Sequence, residues 1–307
     1  MSLHRLTTIT VGVPDVDQTA SYYTDFGLTP LGGNAFATVD GGEQFRLTRT
    51  AQRRLIEIGI GVDDADDLDR IERQLGALDL PVRRDQASIS ALEPIAGFRA
   101  IISIAPRISQ ERAETPPYNG PGRIERVDRR AEGIQRMHPV RPRKLGHVVI
   151  GSTDQVATQR FFTEGLGFKV SDTVPSLAAF LRCSSDHHNV LVRQAPLNFL
   201  HHTSWQVDDV DEIGRGATAM LQDHPDRHVW GLGRHHIGSN FFWYLKDPAG
   251  NFSEYYSDID CIVDEALWKP GIWDDARALY NWGPPPPPSF LMPDDLAALM
   301  TGAHAAM

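Results

Sequence analysis

Leu145-Gly146-His147-Val148-Val149-Ile150-Gly151-Ser152-Thr153-Asp154 reads as a strand running into a helix start, and the chain carries it twice. The earlier copy is Leu6-Thr7-Thr8-Ile9-Thr10-Val11-Gly12-Val13-Pro14-Asp15. Each copy continues into a helix-like stretch with an aromatic pair, Tyr22-Tyr23 in one and Phe161-Phe162 in the other. Each then stops at a glycine-containing turn, Phe26-Gly27-Leu28 or Leu166-Gly167-Phe168, before the next strand. A second pair of strands repeats further on. Leu55-Ile56-Glu57-Ile58-Gly59-Ile60-Gly61-Val62-Asp63-Asp64 matches Leu200-His201-His202-Thr203-Ser204-Trp205-Gln206-Val207-Asp208-Asp209. A weaker third match pairs Glu93-Pro94 and Gly97 with Asp247-Pro248 and Gly250 as turns before a final strand. The chain is therefore a tandem duplication of α+β class, and each half holds two strand–helix–strand modules.

The two halves differ in histidine. Nine of the twelve histidines fall between His147 and His236. Strand alternation places His147, Val149 and Gly151 on one face. The register shared by the two repeats selects His202 rather than His201 as the equivalent position, which sends His201 to the opposite face. Glu254 lies on an apolar strand, Asn251-Phe252-Ser253-Glu254-Tyr255-Tyr256. A carboxylate is costly to bury there without a partner. Two histidines and one carboxylate on separate strands form the donor set of a non-heme Fe(II) site that leaves three positions open. The matching positions of the first half are Thr8, Glu57 and either Ala100 or Ile101, which cannot make that site.

Composition narrows the function classes. The net charge of −10 argues against general nucleic-acid binding. No stretch reaches the length of a transmembrane helix, and Met1 to Arg5 has no apolar run of signal-peptide type. Two cysteines, Cys183 and Cys261, suit a reducing cytoplasm and read as inert buried thiols. From Arg107 to Lys144 the chain is rich in Pro, Gly and Arg, with ten basic and five acidic residues. It reads as an extended connector packed on its own protein or on a second subunit. The last segment holds the proline run Pro284 to Pro288, flanked by Trp268, Trp273, Tyr280 and Trp282. It reads as a clamp folded back over apolar surface, with a short helix beginning near Asp294-Asp295-Leu296. The expected divisions are 1–108, a connector 109–143, a metal-binding catalytic domain 144–260 and a tail 261–307.

The sequence also resembles the type I extradiol catechol dioxygenases of the vicinal oxygen chelate superfamily over nearly its whole length. The carrying segments are Gly146-His147-Val148, Asp186-His187-His188-Asn189-Val190, Leu200-His201-His202, Gly233-Arg234-His235 and the run from Phe241 to Glu254. The resemblance implies four βαβββ units forming two open barrel-like domains, with iron in the second only. It implies His147, His202 and Glu254 as ligands of Fe(II), with Mn(II) fitting the same set. It implies His188 as the acid–base histidine, with His187 structural, and His235 and Tyr244 as substrate contacts. These lie nineteen and ten residues before Glu254. The implied reaction is extradiol cleavage of a catechol by O2 to a muconic semialdehyde-type product; the aromatic tail and long connector add the expectation of a homo-oligomer, and the low cysteine count that of a cytoplasmic protein. One departure stands out. Biphenyl-type members carry an acidic residue where this chain has Gly238 or Ser239, which points to smaller or carboxylated catechols, with Arg234 a candidate for the carboxylate. The competing readings are a glyoxalase-like metal-dependent isomerase or transferase and a non-catalytic binding module of the same fold.

Overall fold

The computed structural model describes residues 3–111, 116–274 and 278–301. Residues 1–2, 112–115, 275–277 and 302–307, and so short pieces of the expected connector and tail, lie outside that description. The first module is β1 (Leu3–Val13), α1 (Val16–Asp25), β2 (Thr29–Gly32), β3 (Ala35–Thr38) and β4 (Gly42–Arg49). The second is β5 (Arg54–Val62), α2 (Ala65–Ala77), β6 (Val82–Arg84), β7 (Ser88–Leu92) and β8 (Arg99–Ile104). Beyond α3 (Glu132–Gln135) comes the third: β9 (Lys144–Ser152), α4 (Gln155–Arg160), β10 (Lys169–Val174), β11 (Ala178–Arg182) and β12 (Val190–Gln194). The fourth is β13 (Phe199–Gln206), α5 (Val210–Leu221), β14 (His228–Arg234), β15 (Phe241–Lys246) and β16 (Phe252–Ser257). The tail adds β17 (Gly271–Ile272), α6 (Pro288–Leu291) and α7 (Leu296–Thr301).

All four modules share one local device. Asp15, Asp64, Asp154 and Asp209 each cap a helix, accepting a backbone amide from Gln18, Asp67, Ala157 and Glu212 respectively. The repeated strand-to-aspartate signature is therefore a strand end followed by an N-cap. In the third module the aromatic pair falls in a π-helical segment, Phe161–Leu166, which Gly167 ends at φ 89°.

Within each module the first and last strands pair in parallel, and the hairpins between them run antiparallel. Two modules join along β1–β5 in one sheet and along β9–β13 in the other. The strand orders are β2-β3-β4-β1-β5-β8-β7-β6 and β14-β15-β16-β13-β9-β12-β11-β10-β17, so neither sheet closes on itself. This is the α+β tandem fold with paired βαβββ units.

The halves exchange helices. From α1, Phe26 stacks on Tyr255 of β16 at 3.9 Å with planes 1° apart, and Tyr255 donates its hydroxyl to the Phe26 carbonyl at 2.7 Å. Tyr22 meets Ser253 at 2.5 Å. In return Phe162 stacks on Phe98, and Thr158 donates to Glu93 at 2.8 Å. Ser253 and Tyr255 thus face the other half, and alternation turns Phe252, Glu254 and Tyr256 toward the opposite side of β16.

The connector packs on its own protein. Arg136 pairs with Asp209 at 2.7 Å and Arg143 with Asp40 at 2.9 Å. The tail folds back as expected. Trp230 donates to the Pro284 carbonyl at 2.7 Å, Phe290 is buried beside it, and α7 begins close to the expected place. Cys183 is buried, whereas Cys261 is exposed because it follows the last core strand of the second sheet. No described helix is long and apolar enough to cross a membrane.

Candidate metal centre

Three adjacent strands deliver the centre. Ser204 on β13 is opposite His147 of β9 on one side and Glu254 of β16 on the other. His147 and Glu254 therefore stand at one level, with His202 slightly further along β13. The ligand atoms of these three residues all lie within 4.8 Å of one another. His147 Nε2 is 3.1 Å and His202 Nε2 is 3.6 Å from Glu254 Oε2. Glu254 is fully buried and the two histidines nearly so.

The donor set fits a divalent transition metal on an observation of its own. Glu254 Oε2 and His202 Nε2 are buried and have no hydrogen-bond partner. Glu254 Oε2 and His202 Nε2 thus leave lone pairs free in the space that the three ligand atoms share. Burial pushes the Glu254 carboxyl up. The imidazoles of His147 and His235 outweigh that and hold it well below the usual carboxylate range. Burial, reinforced by neighbouring histidines, holds His202 well below its ordinary value and so in the neutral form a ligand needs.

In the first half the same register puts Ile101 opposite Gly59, as Glu254 is opposite Ser204. Of the two candidate positions, Ile101 is therefore the equivalent of Glu254. With Thr8 and Glu57 it leaves that half without the donor set.

The surrounding hydrogen bonds assign ring tautomers. The Phe290 carbonyl, which can only accept, lies 2.6 Å from His201 Nε2, and His201 Nδ1 lies 2.7 Å from His202 Nδ1. His201 Nε2 therefore carries a proton, a neutral ring accepts at Nδ1 from His202, and His202 Nε2 is left as a lone pair. A parallel chain runs from Asp172 to His187 Nε2 at 3.3 Å and from His187 Nδ1 to His188 Nδ1 at 3.1 Å. Asp172 also accepts from Gly271 and Trp273, which fixes it as the acceptor end. Each vicinal histidine pair thus has an outer ring that orients an inner one.

His201 departs from expectation. The sheet register slips between Leu200 and His202, and this β-bulge puts both rings on the wall of one cavity instead of on opposite faces.

That cavity is about 440 Å³ and receives His147, His188, His202, His235 and Tyr244. His188 is buried, its ring 4.2 Å from that of His147, and burial with the neighbouring imidazoles holds it well below its ordinary value. Its ring is thus neutral and able to accept a proton. His235 Nδ1 meets the Leu279 carbonyl at 2.6 Å, and its Nε2 meets the Tyr244 hydroxyl at 2.8 Å. Burial, with the Glu254 charge second, raises the Tyr244 phenol well above its ordinary value, so it stays protonated as a donor. Sequence reasoning missed Asn240, which is fully buried and donates to Glu254 Oε1 at 3.2 Å. It also missed Asp172 and the Phe290 carbonyl. Nothing local in the sequence marks any of the three as a partner of the centre.

Arg234 is outside the cavity: it pairs with Asp258 at 2.7 Å and lies over Phe241. Gly238, at φ 83°, sits beside His188, where a side chain would come within 3.3 Å of the ring.

Residues 144–255 match the Glyoxalase/Bleomycin resistance protein/Dioxygenase superfamily. Metapyrocatechase 2 of Cupriavidus necator is 29% identical over 303 residues, covering 94% of this chain and 92% of the relative. The Mn(II)-bound glyoxalase from Novosphingobium aromaticivorans superposes with a TM-score of 0.75 at 26% identity, covering 93% of each chain. Homoprotocatechuate 2,3-dioxygenase from Arthrobacter globiformis shares the fold, with a TM-score of 0.74 at 19% identity over 95% of this chain and 91% of that one. The second half of the chain, which holds the donor triad, thus matches the Glyoxalase/Bleomycin resistance protein/Dioxygenase superfamily, and nearly the whole chain is similar to a relative named as a metapyrocatechase.

Proposed function

We propose that the protein is an extradiol ring-cleavage dioxygenase acting on a catechol. The observation that carries this reading is the buried triad of His147, His202 and Glu254, opening onto a cavity that also holds His188, His235 and Tyr244. A full-length relative named as a metapyrocatechase supports it. Fe(II) is the proposed ion. Mn(II), which the glyoxalase structure holds, is the alternative ion for this donor set. When bound, the ion supplies Lewis acidity toward the catechol oxygens and open positions that bring substrate and O2 together.

The chain's own residues do the rest. The Tyr244–His235 pair meets a substrate hydroxyl at the cavity edge and fixes the orientation of the ring. His188, neutral through burial, takes the proton that a catechol hydroxyl loses and returns it later in the cycle. Asp172 and His187 keep its orientation through that exchange. The apolar wall formed by Val149, Phe180 and Leu191 excludes water from the reacting centre.

A second reading is favoured by one observation, the whole-chain match to a protein called a glyoxalase. A metal-dependent isomerase of that kind would not consume oxygen. Against it, all three donors come from one half, with none from the other. Fe(II)-loaded protein, mixed anaerobically with a catechol panel and then given O2, tests both. Stoichiometric uptake with a yellow ring-opened product supports cleavage, whereas metal binding without uptake for any catechol removes it. The same proposal includes a cytoplasmic homo-oligomer, whose subunit number size-exclusion chromatography with light scattering reads.

A further inference from the structure

The cavity beside the triad has an apolar body and one permanent cation. Arg193 is the only lysine or arginine among its described lining residues. Alternation along β12 turns Leu191 and Arg193 to the cavity, while Val190 and Val192 are buried on the other face. Arg193 is opposite Gly151 of β9, four residues beyond His147 on the same strand. Its backbone therefore stands roughly 13 Å along the sheet from the triad.

The guanidinium is half-buried and poorly compensated. Burial lowers its pKa, and no described carboxylate is within salt-bridge reach. Asp274, the acidic residue of the lining, makes no such pair with it. Its one hydrogen bond among the described residues runs from Nη2 to the Leu291 carbonyl at 3.0 Å. Among the described residues, four of its five N–H donors have no partner. A cation drawn partly out of water without a counter-charge is unfavourable, and an anion in the cavity would remove that cost. At the level between Arg193 and the triad lie Val149, Leu191 and Phe180, which offer nothing polar.

We propose that Arg193 is the specificity residue of this cavity and receives a carboxylate ending the side chain of a substituted catechol. The inference rests on the dioxygenase reading for the ring and adds the far end of the substrate. A ring held at the triad does not span the distance to Arg193. The substituent therefore includes a short apolar spacer lying along Leu191 and Phe180. This moves the carboxylate contact from Arg234, which already has Asp258, to Arg193.

The test compares two catechols of equal length, one ending in a carboxylate and one in a methyl group, on metal-loaded wild type and Arg193→Gln. Glutamine keeps a donor for the Leu291 carbonyl but removes the charge. The wild type should favour the carboxylated catechol in kcat/KM, and the variant should lose about 10- to 100-fold of that preference, mainly through KM. A preference that is unchanged, or a wild type that favours the uncharged catechol, overturns the proposal and leaves Arg193 as a brace for the tail. Calorimetric binding under argon separates this from failure of the dioxygenase reading. Weaker binding of the carboxylated catechol alone by Arg193→Gln upholds the anion contact even if oxygen is never consumed, and equal weakening of both overturns it.

Discussion

At the scale of single residues, the centre divides into groups that hold the ion and groups that move protons. Ala at His147, His202 or Glu254 removes one of three donors from a pocket in which the remaining polar atoms have few other partners. Each variant should keep its far-UV circular dichroism and lose bound metal by elemental analysis; full metal occupancy in any of them would remove that residue from the ligand set. His188 lies against His147 without belonging to the triad. His188→Phe should therefore retain metal while kcat falls by about 10²- to 10⁴-fold, as expected for loss of a positioned acid–base group. Turnover at the wild-type rate would end the proton-transfer role. The register of the duplicated strands made His147, His202 and the isolated Glu254 legible before any coordinates. His201 was misplaced because alternation assumes one residue per step, and a bulge inserts two on one strand against one on the other. Asn240 could not be read because nothing local marks the asparagine, 14 positions before Glu254, that will face it.

At the scale of elements, the tail does more than cover an apolar face. Its short helix α6 places the Phe290 carbonyl on His201, and His201 in turn fixes the proton of His202. Outer partners of a metal-binding imidazole commonly contribute 10- to 100-fold to affinity. A glutamine can reproduce both contacts, accepting from His202 and donating to Phe290, whereas a phenylalanine can do neither. His201→Phe should weaken Fe(II) or Mn(II) binding by about 10- to 100-fold in a competition titration, with His201→Gln recovering most of it. If both variants bind alike, the ring only fills space. The clamp itself was foreshadowed by the tryptophans around Pro284 to Pro288. Which carbonyl it would present was not, since that depends on where a polyproline segment ends against a partner formed elsewhere.

At the scale of the whole molecule, the half without donors serves as the support of the half with them. Helix α1 inserts Tyr22, Tyr23 and Phe26 behind β16, the strand whose other face presents Glu254. The junction includes Asp247, which is buried and accepts from Tyr23 and Asn251. Burial, opposed in part by the Asn251 hydrogen bonds, raises its pKa from 3.8 to about 6. The folded state therefore prefers the protonated form. The stability this group contributes is fully present below pH 3.8 and is lost as pH rises through about 6, a change of roughly 3 kcal/mol for a gap of that size. Asparagine cannot titrate, so Asp247→Asn removes this pH dependence whatever its fixed cost in hydrogen bonding. Urea denaturation of the metal-free protein at pH 4.5 and pH 7 should show the wild type losing up to about 2 kcal/mol relative to Asp247→Asn, the part of that change that falls above pH 4.5. Parallel stability curves for the two proteins would mean that Asp247 is hydrated in the fold. The contact between the halves would then be looser at that point than the stacked Phe26 and Tyr255 rings beside it require.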